Sequence, residues 1–253
     1  MSTPLLAFLF SLGGLAVGVF LNIFADVLPP SAQERPALCC GKCGAKRAVS
    51  QYVPLLSYAL PLGRCQECGA HTPLRWLLVE FGNGVLFALL FWRFGLTDIF
   101  CVYLLYLCVL MLVFIVDLER QLVLDVVTYP SMAAAFGLSW VLPEVGPLHS
   151  AIGGAFGLIT LALPYLYYRR RGLFGFGDVL LGGLLGLMVG WPVMVLVLLM
   201  ASFAGGTVGV VLMMVRGAKR TDLIPFGPFL ASATVLCLFF GQGMADHLLA
   251  YIS

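Results

Sequence analysis

Long apolar stretches, separated by short polar breaks, run through almost the whole chain. Eight of them are read as helices that cross a membrane: about Leu5 to Ile23, Trp76 to Phe94, Ile99 to Val116, Val126 to Leu142, His149 to Tyr167, Asp178 to Val189, Pro192 to Val215 and Phe226 to Ile252. Crossing the hydrocarbon takes about 17 to 25 mostly apolar residues in one helix. The sixth stretch is short and runs into Gly190-Trp191-Pro192, which points to a tight hairpin with the seventh. The leading residues Met1-Ser2-Thr3-Pro4 carry no basic side chain, and the apolar run behind them is longer than a signal peptide needs, so the first stretch is expected to be a retained helix. Only the stretch from about Ala25 to Arg75 is polar enough to lie outside the membrane. The expected architecture is an all-α polytopic membrane protein: a first transmembrane helix over 1–24, a loop domain over 25–75, and a seven-helix membrane domain over 76–253.

Composition excludes the alternatives to this picture. Hydrophobic residues make up 61% of the 253, charged residues 10%, and the mean hydropathy is +1.03. A soluble domain carries roughly 25% charged residues, so these few charges cannot coat a water-soluble globule. Disorder needs the opposite composition, with much charge and few aromatics. A net charge of +2 with no concentrated basic domain gives no support to nucleic-acid binding.

Charge does decide orientation. Of the 14 basic residues, Arg35, Lys42, Lys46, Arg47, Arg64 and Arg75 lie between the first and second stretches. Arg120 follows the third, Arg169, Arg170 and Arg171 follow the fifth, and Arg216, Lys219 and Arg220 follow the seventh. Arg93 alone has the opposite parity. Cytoplasmic loops hold the excess of Lys and Arg, so the odd-numbered loops are expected inside and both termini outside.

The 25–75 loop is near the size below which a core alone rarely suffices, so a staple is expected. Cys40-Gly-Lys-Cys43 and Cys65-Gln-Glu-Cys68 supply one, as two CxxC knuckles separated by 21 residues. Each knuckle brings two thiolates to one tetrahedral ion, and Gly41, Gly44 and Gly69 permit the tight turns. Four thiolates suit structural Zn²⁺, and a cytoplasmic position disfavours disulfides. The competing reading is a set of reduced or redox-active thiols. Cys39 could swap in as a ligand, though the symmetric spacing favours Cys40. His71 is read as a bystander, and Cys101, Cys108 and Cys237 as small core residues.

Ionisable groups inside apolar spans are costly, which makes them functional candidates. Asp117 ends the third stretch in Val113-Phe-Ile-Val-Asp117-Leu-Glu-Arg120, and Asp178 opens the sixth in Phe174-Gly-Phe-Gly-Asp178. Both fall at expected cytoplasmic ends, at one depth, although 61 positions separate them. Two carboxylates meeting at a partly dry boundary do not both ionise easily, so one serves as general acid and the other as general base. Gly175 and Gly177 let another backbone lie close. The plainer reading makes Asp178 the N-cap of its helix. Asp125 and the pair Thr97-Asp98 are expected as caps, Asp26 and Glu119 as solvated or salt-bridged. Glu80 either pairs with a loop arginine or lines the site.

The residues by themselves also describe an ion-coupled transporter built on a carboxylate pair, although no internal repeat relates the two halves. A third reading, a scaffold whose zinc loop docks a partner, makes the aspartates dispensable.

Taken in order, the motifs resemble those of type IV prepilin peptidases, the membrane aspartic peptidases also called leader peptidase/N-methyltransferases. The series runs from Gly18-Val-Phe-Leu-Asn22 through the two knuckles, Pro54-Leu-Leu-Ser-Tyr58 and Arg75-Trp-Leu-Leu-Val-Glu80. It continues through the Asp117 segment and the GxGD of Asp178 to Ile224-Pro-Phe-Gly-Pro228. The resemblance implies that Asp117 and Asp178 are the catalytic pair. It also implies that the substrates are type IV prepilins or type II secretion pseudopilins, cut at the cytoplasmic face of a bacterial inner membrane. S-adenosylmethionine would then be the methyl donor to the new N-terminus. Shortened relatives without the cysteine loop keep peptidase activity, which links that loop to methyl transfer or substrate docking. Two features depart from the family pattern. Ile23-Phe-Ala-Asp-Val27 stands where a basic residue usually precedes Leu-Pro, and Cys39 is extra.

Overall fold

The computed structural model describes residues 3–29, 40, 43–45, 65, 67–70, 73–168, 175–216 and 225–252. Cys39, Gly41, His71, the 54–58 segment, Phe174, Ile224 and the basic residues Arg35, Lys42, Lys46, Arg47, Arg64, Arg169, Arg170, Arg171, Lys219 and Arg220 lie outside them. Among the described residues there are eight helices and no strand. They are α1 (Thr3–Val27), α2 (Leu74–Phe94), α3 (Asp98–Arg120), α4 (Asp125–Leu138), α5 (Gly146–Tyr168), α6 (Phe176–Val189), α7 (Val193–Arg216) and α8 (Gly227–Ile252).

Each helix falls on one of the eight apolar stretches. Five of them, α1, α2, α3, α5 and α7, are long and apolar enough to cross a membrane by length and composition. The chain is therefore a multi-pass membrane protein. At 14 residues each, α4 and α6 rise only about 21 Å, short of the roughly 30 Å hydrocarbon thickness. α8 is the longest helix, with 26 residues over Gly227–Ile252.

α1 and α3 each run four residues past the expected end, to Val27 and Arg120, whereas α4 falls four short and stops at Leu138 rather than Leu142. Ser139 ends it: its N–H is shared between the carbonyls of Ala135 and Phe136, and its hydroxyl donates to the Phe136 carbonyl at 2.6 Å. Such a shared bond tightens the last turn and releases the chain.

The chain divides into two compact units, Met1–Phe100 and Cys101–Ser253. In the first, α1 and α2 pack across a seam of small residues. A Cβ on Gly14 would lie 2.8 Å from the α-carbon of Gly84, and one on Gly18 would lie 2.7 Å from the α-carbon of Glu80. Gly14 and Gly18 stand four residues apart, the spacing that lets helix backbones touch within lipid. Two asparagines tie the seam. Asn22 Nδ2 donates to the Trp76 carbonyl at 3.1 Å, and Asn83 Nδ2 donates to the Gly14 carbonyl at 2.9 Å.

In the second unit α6 is the central helix. Every residue from Val179 to Gly186 is buried, and burial continues to Gly190 with a single break at Leu187. A helix apolar on all sides belongs inside a bundle. It meets α5 glycine to glycine, with Gly153 and Gly157 backed against the carbonyls of Gly186 and Gly182. Ser150 Oγ adds a hydrogen bond to the Leu187 carbonyl at 2.8 Å. The fixed position of α6 matters because Asp178 sits in its first turn.

Candidate functional site

Asp117 lies in the last turn of α3 and is 4% exposed. Its carboxylate rests against Gly227, the first residue of α8, and takes a hydrogen bond from the Gly227 backbone N–H. A side chain at position 227 would run into Asp117 Oδ2, so only glycine lets these two elements meet. Oδ2 itself is buried and has no hydrogen-bond partner among the described residues.

Asp178 is half-buried, and its helix is capped by Gly175, in an extended conformation at φ −87°, ψ 147°. The N-cap reading of Asp178 is therefore corrected. It is the third residue of α6, and its carboxylate reaches back to the N–H of Gly175, the return half of a capping box. Gly177 has a separate task. A Cβ there would lie 2.7 Å from Val123 Cβ, so the glycine lets the start of α6 lie against the segment between α3 and α4.

The packing of Gly177 on Val123 places Asp178 near the end of α3 that carries Asp117, inside one unit, despite their separation in sequence. One carboxylate is buried and the other half-exposed. Such a pair can divide the roles of proton acceptor and proton donor.

Other carboxylates lie at helix ends or in the α1–α2 seam. Thr97 Oγ1 accepts the Phe100 N–H at 3.2 Å, so the cap on α3 is present. The expected Asp125 cap is absent: Leu124 is the N-cap of α4, without a side-chain bond, and Asp125 stands in the first turn. There it faces the positive end of the helix dipole. Asp26 is salt-bridged to Arg75 at 2.8 Å, across the ends of α1 and α2 that flank the cysteine loop. Glu80 is buried in the α1–α2 seam, with its side chain running over Gly18.

In the first unit the four cysteines Cys40, Cys43, Cys65 and Cys68 converge, with their sulfurs all within 4.8 Å of one another. The two knuckles repeat one hydrogen-bond pattern. Cys40 N–H donates to the Ala45 carbonyl and Gly44 N–H to the Cys40 carbonyl, while Cys65 pairs with Ala70 and Gly69 in the same way. Gly44 and Gly69 take φ of 74° and 67°, a left-handed turn that glycine adopts without steric cost. Sulfurs from opposite knuckles lie 3.6 Å apart, Cys40 to Cys68 and Cys43 to Cys65. A tetrahedron with metal–sulfur bonds of about 2.3 Å has an edge of about 3.8 Å, so the four thiols fit one ion. Backbone N–H groups of Cys68 and Glu67 hold the Cys65 thiol below its ordinary range, while the neighbouring thiols leave Cys43 pushed up to about 12 and Cys68 raised.

Two of these contacts are not legible in the sequence. An isolated apolar residue in a short break, such as Val123, gives no chemical signal. Gly227 belongs to the Pro-Phe-Gly-Pro motif, where a glycine between prolines at the head of an apolar run is the available hint.

Comparisons with known proteins agree with this layout. The model of the bacterial peptidase A24 N-terminal domain matches residues 12–94, and that of the type IV leader peptidase family matches residues 104–210. A prepilin leader peptidase/N-methyltransferase from Pseudomonas putida is 32% identical, over 90% of this chain and 88% of the relative. The protein of that name from Pseudomonas aeruginosa is 30% identical over the same shares. One from Legionella pneumophila is 28% identical, over 94% of this chain and 92% of the relative. No solved structure matches the chain. The chain belongs to the type IV leader peptidase family.

Proposed function

We propose that the chain is a prepilin leader peptidase that cuts with Asp117 and Asp178 and then N-methylates the new amino terminus. The observation that supports the reading is the packing of Gly177, next to Asp178, on Val123, six residues after Asp117, which places the two carboxylates in one neighbourhood. A water between them loses a proton to the ionised partner as its oxygen attacks the scissile carbonyl carbon. The protonated partner gives its proton to the carbonyl oxygen. The tetrahedral diol then collapses: the C–N bond breaks with its electrons to nitrogen, which takes up a proton, and the carboxyl group remains on the leader. Burial of Asp117 limits the competing water around the pair.

The basic loops support a cytoplasmic site in a bacterial inner membrane, since thirteen of the fourteen Lys and Arg share one parity. The substrates on this reading are prepilins or pseudopilins, whose basic leaders lie on that side. Cys40, Cys43, Cys65 and Cys68 would hold a structural Zn²⁺ that closes the 25–75 loop domain. S-adenosylmethionine, as methyl donor, supplies an electrophilic methyl group. The described residues carry no glycine-rich strand-turn-helix cradle for it, so no side chain is assigned to that cofactor. The ion-coupled transporter reading gains nothing from either the fold or the relatives.

The test is leader release from a prepilin by the purified protein in detergent or lipid. Asp117→Asn and Asp178→Asn should each abolish cleavage, by at least about a thousandfold, with the fold and bound zinc intact. Normal cleavage by either variant removes that aspartate from the mechanism.

A further inference from the structure

α4 is too short for a full bilayer, and the helices on either side of it in sequence are not. It rises about 21 Å, whereas α3 and α5, at 23 residues each, rise about 34 Å. α6 is as short as α4 but buried inside the bundle, so its length meets no lipid. α4 does face outward. Val126, Tyr129, Ala133, Phe136 and Gly137 are exposed along one side of it, and a Cβ on Gly137 would meet nothing within 4 Å.

Contacts within the second unit show which end falls short. The Tyr106 hydroxyl on α3 donates to the Ala135 carbonyl on α4 at 3.3 Å, which sets the two helices side by side. From that tie α3 runs about 21 Å to Arg120, while α4 runs about 15 Å to Asp125. On another flank Gly177 packs on Val123, and Gly182 packs on Gly157 of α5. α6 rises about 7 Å between those two contacts, while α5 continues about 16 Å from Gly157 to Tyr168. Both neighbours therefore stand roughly 6–9 Å beyond the start of α4. The deficit lies at the aspartate end: Asp117, about 16 Å along α3 from Tyr106, is level with Asp125. Asp125 is exposed in the first turn of α4. A carboxylate on a lipid-facing helix has to reach water or headgroups.

A bilayer meets a helix shorter than its hydrocarbon by thinning locally. We infer that the outward face of α4 is a lipid-contact surface for a thinned leaflet. Zwitterionic phospholipid headgroups descend over its first turn to the level of Asp117, with their ammonium groups at Asp125. Around α3 and α5 the same leaflet keeps its full thickness. The step between the two levels gives the aspartate end a polar boundary that a flat membrane would place farther out. This surface is independent of the peptidase reading, and no substrate enters its test.

The test uses the full chain in bilayer discs of oleoyl phosphatidylcholine. Trifluoromethyl-phenylalanine replaces Val126 on α4 in one variant and Leu163 on α5 in the other, side chains that are 69% and 65% exposed. By helix rise Leu163 lies outside the level of Val123 and Val126 lies inside it. A flat boundary thus brings headgroups closer to Leu163, and a thinned one reverses the order. Lipid with a nitroxide on its headgroup, or at its chain end, is mixed in, and fluorine relaxation is read by NMR. That relaxation falls with the sixth power of distance. The headgroup nitroxide should relax position 126 severalfold more than position 163, and the chain-end nitroxide should do the opposite. A headgroup effect that is equal at both positions, or stronger at 163, overturns the thinned leaflet. Relaxation of position 126 by a water-soluble nitroxide, but by neither lipid, overturns lipid as the occupant. If either variant fails to fold, Tyr129 and Ile159, exposed farther in on the same two helices, carry the probe, and the same order is expected of them.

Discussion

Gly186→Ala tests whether α6 is held by direct backbone contact with α5. A Cβ at position 186 would collide with the Gly153 carbonyl and lie 2.8 Å from the Gly154 nitrogen. Both neighbours are helix backbone, so no side chain can swing aside, and the helices must separate. Overpacking of this kind costs about 1–3 kcal/mol. Alanine returns about 0.5–1 kcal/mol through its better helix propensity. The net expectation is a loss of up to about 2.5 kcal/mol, with a mid-range value of about 1.3 kcal/mol, or roughly a tenfold fall in the folding equilibrium constant. Gly206→Ala on α7 is the matched control, because a Cβ there meets nothing within 4 Å. That change should be neutral or stabilising by up to about 1 kcal/mol. Reversible unfolding of both variants in mixed micelles measures the difference. Leader cleavage should also fall in Gly186→Ala, since a displaced α6 carries Asp178 with it. Equal stability of the two variants would refute the close-contact argument, and full cleavage by a destabilised Gly186→Ala would separate α6 position from catalysis.

Further outcomes follow from the first unit. Cys40→Ser and Cys65→Ser should each lower bound zinc from about one ion per chain toward none, as read by elemental analysis; wild-type zinc in both would reject the four-thiolate site. Asn83→Leu removes the hydrogen bond to the Gly14 carbonyl and should cost about 0.6 kcal/mol, with an upper bound near 1.7, in the same unfolding assay. A stabilised Asn83→Leu protein would show that apolar packing outweighs that bond.

The order of amino acids by itself determined the helical class, the positions of eight helices, the two knuckles and the two aspartates. Each has a local signature: apolar length marks a helix bound for lipid, Cys-x-x-Cys marks a ligand pair, and an acidic residue at the edge of an apolar run stands out against it. Tertiary structure alone decided which backbones approach. Gly227 under Asp117, Gly177 against Val123, and the α5–α6 glycine seam each depend on a partner far away in the chain. A glycine records that some atom comes close, never which one. The helix starts show the same division, since Asp125 and Asp178 resembled N-caps by residue type, yet the chain turned one and three residues earlier, at Leu124 and Gly175. Where a cap falls is set by how the preceding segment packs, and that information is not local.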